Sequence, residues 1–284
     1  MANLKEIRAR ITSVGSTMQI TSAMKMVSAA KLKRAQDAIT QMRPYANKLG
    51  DLLVNLSSTL ESAQGGRYSE SRDVKAQLLV VITSNRGLCG AFNNNVIKRA
   101  KELAKDHPST AVVTIGKKAS EHFSKNGFNV LSSHDDLYND LSFANTAAIA
   151  QDLMAHFAQE RFDKVVLVYN QFKNAASQHL MAEPYLPVEP PTDQSATIGD
   201  YIFEPDKEDI VAELIPKSLK IQLFKAVLDS HAAEHGARMT AMHKATDNAG
   251  ELKRELTLTY NKARQAAITG EILEIVGGAE ALNG

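Results

Sequence analysis

The 284-residue sequence has no tryptophan and a single cysteine, Cys89. An internal disulfide is excluded, and a lone thiol suits a reducing compartment. Aromatic residues make up only 6% of the chain, so its packing must rest on aliphatic and small side chains. No apolar run approaches the ~20 residues needed to cross a bilayer. The N-terminus carries heptads where a signal peptide would carry its apolar region. Also missing are a paired-cysteine or HExxH metal motif, a phosphate loop ending in Gly-Lys-Ser/Thr, a dinucleotide fingerprint, and a catalytic triad or carboxylate pair. The expectation is a soluble chain with no metal, cofactor or catalytic residue of its own, working in the compartment where it is made.

What is present is periodicity. Alternate steps of three and four from Leu4 give Ile7, Ile11, Val14, Met18, Thr21, Lys25, Ser28, Leu32, Ala35, Ile39, Met42, Ala46, Leu49, Leu53, Leu56 and Leu60, and only three of the seventeen are polar. A seven-residue repeat sustained that far keeps one seam on one partner helix. At ~1.5 Å per residue the helix would be roughly 85 Å long. Pro44 is expected to kink or break it, because proline removes a donor and crowds the preceding turn. A second stripe runs from about Glu208 to Gly284 through Leu219, Leu223, Ala226, Ala233, Ala237, Ala241, Ala245, Leu252, Leu256, Ala263, Ala267, Ile268, Ile272 and Ile275. Its many alanines suit an axis where two helices approach closely. The two stripes are expected to pair antiparallel.

Between them the period changes. Gln77 to Ser84 reads as a buried strand, Ala91 to Asp106 as a helix, Ala111 to Ile115 as a strand and Lys117 to Lys125 as a helix. Phe128 to Ser132 follows as a strand, Ser142 to Arg161 as a helix, Lys164 to Tyr169 as a strand, and Gln178 to Leu186 as an edge strand that Pro184 and Pro187 should end. Such alternation predicts a Rossmann-like α/β domain of mostly parallel sheet, inserted into a long antiparallel two-helix coiled coil. The expected units are 1–60 for the first coil helix, 75–190 for the insert, 191–206 for a Pro-rich linker and 207–284 for the second coil helix.

Residues 1–60 carry nine Lys and Arg against three Asp and Glu, a net of 9 − 3 = +6, although the whole chain is only +1. With one aromatic, Tyr45, and no reading motif, that basic helix does not look like a nucleic-acid binder. In the insert, SNRGLCGAFN joins strand to helix and reads as a tight turn at Arg86 that needs Gly87 and Gly90, with Cys89 as a small turn residue. His231 and His235 lie one helical turn apart, a spacing that can hold a metal, and are expected to be solvated helix positions.

The segments LKEIRARITSVGSTMQITSAMKMVSAAKLKRAQ, SNRGLCGAFN, ARMTAMHKATDNAG and YNKARQAAITGEILEIVGGA, in this order, closely resemble the gamma subunit of F-type ATP synthases. The resemblance implies a rotor whose coil stands inside a ring of alpha and beta subunits, with its α/β domain on the ring of c subunits beside epsilon. Turning would couple proton flow to ATP synthesis, with the chemistry on the beta subunits. It implies coupling contacts at Met24, Arg238, Arg264, Gln265, Thr269 and Glu271. Arg264 and Gln265 would form a hydrogen-bonding catch, and Ile268, Ile272 and Ile275 an apolar bearing. Gly270 stands where some relatives carry a longer polar residue. The linker lacks the cysteine pair of the redox-regulated chloroplast form, and the cytoplasmic face of a bacterial plasma membrane is the expected location, with membrane association through the complex only. The alternative is a coiled-coil scaffold carrying a ligand-sensing α/β domain.

Overall fold

A computed structural model describes residues 4–57, 67–70, 72–107, 109–188 and 207–283. Helix α1 spans Leu4–Ser57. There follow β1 (Gln77–Ile82), α2 (Phe92–Asp106), β2 (Thr110–Ile115), α3 (Lys117–Lys125), β3 (Asn129–Ser133), a 3-10 turn (Asp135–Asn139), α4 (Phe143–Ala158), β4 (Lys164–Phe172) and β5 (Gln178–Leu186). Helix α5 runs Lys207–Asn283. The expected linker 191–206 and seam position Leu60 lie outside the described residues.

The sheet order is β3-β2-β1-β4-β5. β1 pairs parallel with β2 and β4, β2 parallel with β3, and β4 antiparallel with β5. Because β1 is central, all six of its residues are buried, which is why its sequence after Gln77 is a continuous apolar run. Alternate residues of that run serve two cores. Leu78, Val80 and Ile82 pack with Leu153 and Phe157 of α4 and with Leu219, Leu223 and Val227 of α5. Leu79 and Val81 pack with Val96, Ile97, Ala119 and Phe123 of α2 and α3. One covering layer of the sheet therefore comes from the C-terminal helix.

The chain divides into two compact units, Ala29–Arg238 and Met1–Ser28 with Met239–Gly284. Within the first, Leu32, Ala35, Ile39 and Leu49 are the buried positions of α1, all on the heptad seam. The helix is unbroken at Pro44. Buried seam residues on both sides of the proline offset the donor it removes, so the expected break is absent. Pro216 is likewise inside α5. β5 continues through Pro184, which an edge strand can accommodate because a proline there forfeits no ladder bond on its open side.

Within the second unit the helices run antiparallel. Thr21 meets Thr246 at 2.8 Å, Met18 lies by Gly250, and Gly15 lies by Lys253. The polar seam positions are matched across it, since Lys25 Nζ also reaches His243 Nδ1 at 3.4 Å. Polar pairs in an otherwise apolar seam fix register at some cost in stability.

Candidate functional site

The turn after β1 is held by a closed set of bonds. The Ser84 hydroxyl donates to the Arg86 carbonyl (2.6 Å) and accepts from Asn93 Nδ2 (2.9 Å), while Asn93 Oδ1 accepts from the Ser84 backbone N–H (3.0 Å). Asn93 Nδ2 also approaches Cys89 Sγ at 3.2 Å. Asn85 ties the turn to its neighbours by donating to the Asp135 carbonyl and accepting from Lys117 N–H. The backbone enters the left-handed region at Leu88 (φ 62) and Gly90 (φ 61). Gly90 therefore meets the expected need for glycine, whereas at Gly87 a Cβ would meet open space and Leu88 takes the strained geometry instead. The Leu88 side chain is 65% exposed at the apex.

Cys89 is buried, and burial pushes its thiol up from the ordinary value. It belongs to a small cluster with Phe92 and Ala233, flanked by Phe172 and Ala237. Above this cluster Arg238 donates to the carbonyls of Arg86 (2.9 Å) and Gly87 (3.2 Å) and pairs with Glu234 at 2.5 Å. Arg238 and Glu234 are each only 7% exposed. Burial raises the Glu234 carboxyl, and the Arg238 guanidinium opposes the rise.

Next to this pair the expectation for the histidines is overturned. His235 is 5% exposed, and its Nε2 lies 3.1 Å from that of His231. Arg238 faces His235 Nδ1, which makes that nitrogen the acceptor and Nε2 the donor to His231. Burial first, then the neighbouring cations, lowers His231 to about 4 and His235 to about 3, so both are neutral at pH 7. The His231 ring stacks on Tyr138 at 5.6 Å. His235 is buried and His231 half-buried because α5 packs against other elements on more than one side here, which an i,i+4 spacing does not reveal. Among the described residues no group of three His, Cys, Asp or Glu could hold a metal ion, and no helix is long and apolar enough to cross a membrane.

The remaining residues of interest are presented to solvent. Arg264, Gln265, Thr269 and Glu271 are exposed and Met24 is half-buried. Ile268, Ile272 and Ile275 are 48, 54 and 71% exposed, an apolar strip that nothing within the described residues covers. Arg238 is thus separated from the other expected coupling residues by its burial and brought together with Arg86 and Gly87. Glu234 and Asn93 were missed from the sequence. The i,i+4 spacing of Glu234 to Arg238 was the available signal for the first, and nothing local marks the second.

Comparison with known proteins decides the family. An ATP synthase family model matches residues 3–282. The ATP synthase gamma chain of Flavobacterium johnsoniae is 63% identical over 287 residues, covering 100% of both chains. The chain belongs to the ATP synthase gamma chain family. Another member, from Christiangramia forsetii, is 60% identical, again over 100% of both chains. Among solved structures, the central stalk and c-ring of the Tetrahymena thermophila mitochondrial ATP synthase contains a chain 28% identical, with a TM-score of 0.63, matched over 80% of this chain and 99% of that one. A chain of the Euglena gracilis mitochondrial ATP synthase shares the fold at TM-score 0.71 and 24% identity, over 98% of this chain and 94% of that one.

Proposed function

We propose that this chain is the central-stalk rotor of an F-type ATP synthase, turning inside a ring of alpha and beta subunits to couple transmembrane proton flow to ATP synthesis. The observation that carries the reading is the end-to-end match to gamma chains, joined to an antiparallel coil whose far end leaves both an apolar strip and polar groups uncovered. The solved relative from Tetrahymena is part of a central stalk with a c-ring, and we carry that assembly over to this chain, with epsilon beside the α/β domain. Catalysis belongs to the beta subunits, and this chain contributes none of the reacting groups. Attachment to the membrane is peripheral, through the c subunits, on the cytoplasmic face of a bacterial plasma membrane.

A rotor biases the states of its ring only through contacts that differ between those states. Arg264 and Gln265 suit that task, because a planar fork of donors beside an amide grips a carboxylate and a backbone group directionally. Thr269 and Glu271 flank the same contact along α5, whereas Met24, next to Lys25 and its partner His243, stands about 30 Å along the coil from it. Ile268, Ile272 and Ile275 suit an apolar bearing, since dispersion contacts have no preferred angle of turn. The ligand-sensing alternative is disfavoured by side chains of α5 standing where a ligand of an open α/β sheet binds.

Tagging this chain in its own cell and purifying it from detergent-solubilised membranes should recover alpha, beta and epsilon subunits with ATP-driven proton pumping after reconstitution. Recovery of the chain without them would end the rotor reading.

A further inference from the structure

Ligands of open α/β sheets bind beyond the carboxyl ends of the strands, where the strand order reverses. Here the order β3-β2-β1-β4 puts that point between β1 and β4. At that end stand the Arg86–Gly90 turn after β1, and the last residues of β4 from Asn170 with the stretch that follows to Ala175. Asn170 Nδ2 donates across the crevice to the Phe92 carbonyl. The space beyond is occupied by α5 of the same chain. Ala233 and Ala237 pack on Cys89, Phe92 and Phe172, and a Cβ placed on Gly236 would lie 3.3 Å from Ala175 and 3.4 Å from Phe172. Small side chains at these positions bring the helix backbone down onto the strand ends. Arg238 then closes the crevice by binding two carbonyls of the turn.

The geometry points to Glu234 and Arg238 as an intramolecular latch: the pair fixes the Arg86–Gly90 turn on α5, so that turn and helix move as one body, and Arg238 is a positioning residue acting from inside the domain. Three features support it. Both side chains are buried, so Arg238 cannot touch a partner while it holds the turn. Arg238 meets four acceptors at once, two backbone carbonyls, one carboxylate and His235 Nδ1, which a guanidinium fork can do and an ammonium cannot do with the same geometry. The turn has its strained residue, Leu88, beside the two clamped carbonyls, so it needs outside bonds to stay in that conformation. The latch rests on this geometry, and its mechanical consequence rests on the rotor reading. If the turn lifts from α5, the exposed Leu88 at its apex no longer moves with the helix.

The only cysteine, Cys89, lies beneath the turn at 2% exposure, so its rate of reaction with a maleimide in the isolated full-length chain reports how often the turn opens. Removing Arg238 alone would leave Glu234 buried and unpaired and could unfold the domain. The decisive variant is therefore the double change Glu234→Met and Arg238→Met, since replacing both members of a buried ion pair with apolar residues spares the fold that penalty. The Arg86 carbonyl keeps the Ser84 hydroxyl. The expected result is an unchanged thermal midpoint with Cys89 labelling at least tenfold faster, and in the reconstituted complex fewer protons pumped per ATP hydrolysed. Arg238→Lys, which keeps the charge and loses the fork, should give a smaller acceleration at unchanged helix content. Unaltered labelling in both variants would overturn the latch, and faster labelling with pumping fully coupled would overturn its mechanical consequence. A parent complex that pumps no protons would count against the rotor reading alone, because the labelling does not depend on it.

Discussion

Asp229 shows how much one buried carboxyl can weigh. It is 6% exposed on α5, with Lys225 on its own helix, Arg43 of α1 and Glu183 of β5 nearby. Burial raises its pKa from 3.8 to about 6, against the pull of Lys225 and Arg43. A carboxyl raised on folding is a contribution fully present below its unfolded pKa and lost as pH rises through the folded one, here between roughly 4 and 6. Asp229→Asn should therefore raise stability at pH 7.5 by up to about 3 kcal/mol relative to its effect at pH 4, at ~1.4 kcal/mol per pKa unit. His231 and His235 act the opposite way, because their lowered values cost stability as pH falls below 6.5. Urea midpoints must for that reason be compared between variant and parent at each pH, and a difference independent of pH would refute the assignment. For the catch proposed at the exposed end of α5, a charge-assisted bond of about 1.5–3 kcal/mol would be enough to favour one ring state at least tenfold without locking the rotor. Changing Arg264 and Gln265 together to alanine should leave a complex that purifies intact yet hydrolyses and synthesises ATP slowly. Normal rates would remove the catch from the mechanism, and failed assembly would make these residues structural.

At the scale of elements, the seam of α1 was readable because a heptad depends only on residues near one another in sequence. Ile7, Thr21, Ser28, Leu32, Ala35, Ile39 and Leu49 are its buried members. The strands were readable for a similar reason, since burial on both faces makes each an apolar run. The burial of His235 and the clamp on Arg86 were not, because the groups that create them are distant in the chain; Tyr138 is 93 residues from His231, and Arg238 and Arg86 are 152 apart. The 3-10 turn at Asp135–Asn139 was also missed, being too short to impose a period. The second half of the coil permits a direct check. With Cys89 changed to serine, Thr21→Cys and Thr246→Cys should join within one chain under mild oxidation, because the two hydroxyls now touch. Dimers linked through either position would indicate that the helices pair between molecules instead. In the βα turn after β2, Gly116 has φ 103, and a Cβ there would fall 2.1 Å from the Thr83 carbonyl oxygen. Gly116→Ala should accordingly cost more than about 1 kcal/mol, measurable as a lowered urea midpoint at unchanged slope.

For the molecule as a whole, the isolated chain should hydrolyse no ATP. Phosphoryl transfer depends on positioned cations and donors around the phosphates, and the crevice where a nucleotide would lie is filled by Ala233, Gly236, Ala237 and Arg238. Turnover by the purified chain that is lost on changing Arg86 would reverse this view. The contact between Thr21 and Thr246 spans 225 positions of sequence. During synthesis at ~5–20 residues per second, the first helix leaves the ribosome roughly 10–45 s before its partner exists. For that interval Ile7, Ile11, Val14 and Met18 have no mate, and the sheet is also incomplete until Leu219, Leu223 and Val227 arrive. The nascent chain thus waits with a sticky ridge in water, and the last segment made completes both the coil and the sheet's cover, which makes this a protein whose yield depends on protection until synthesis ends.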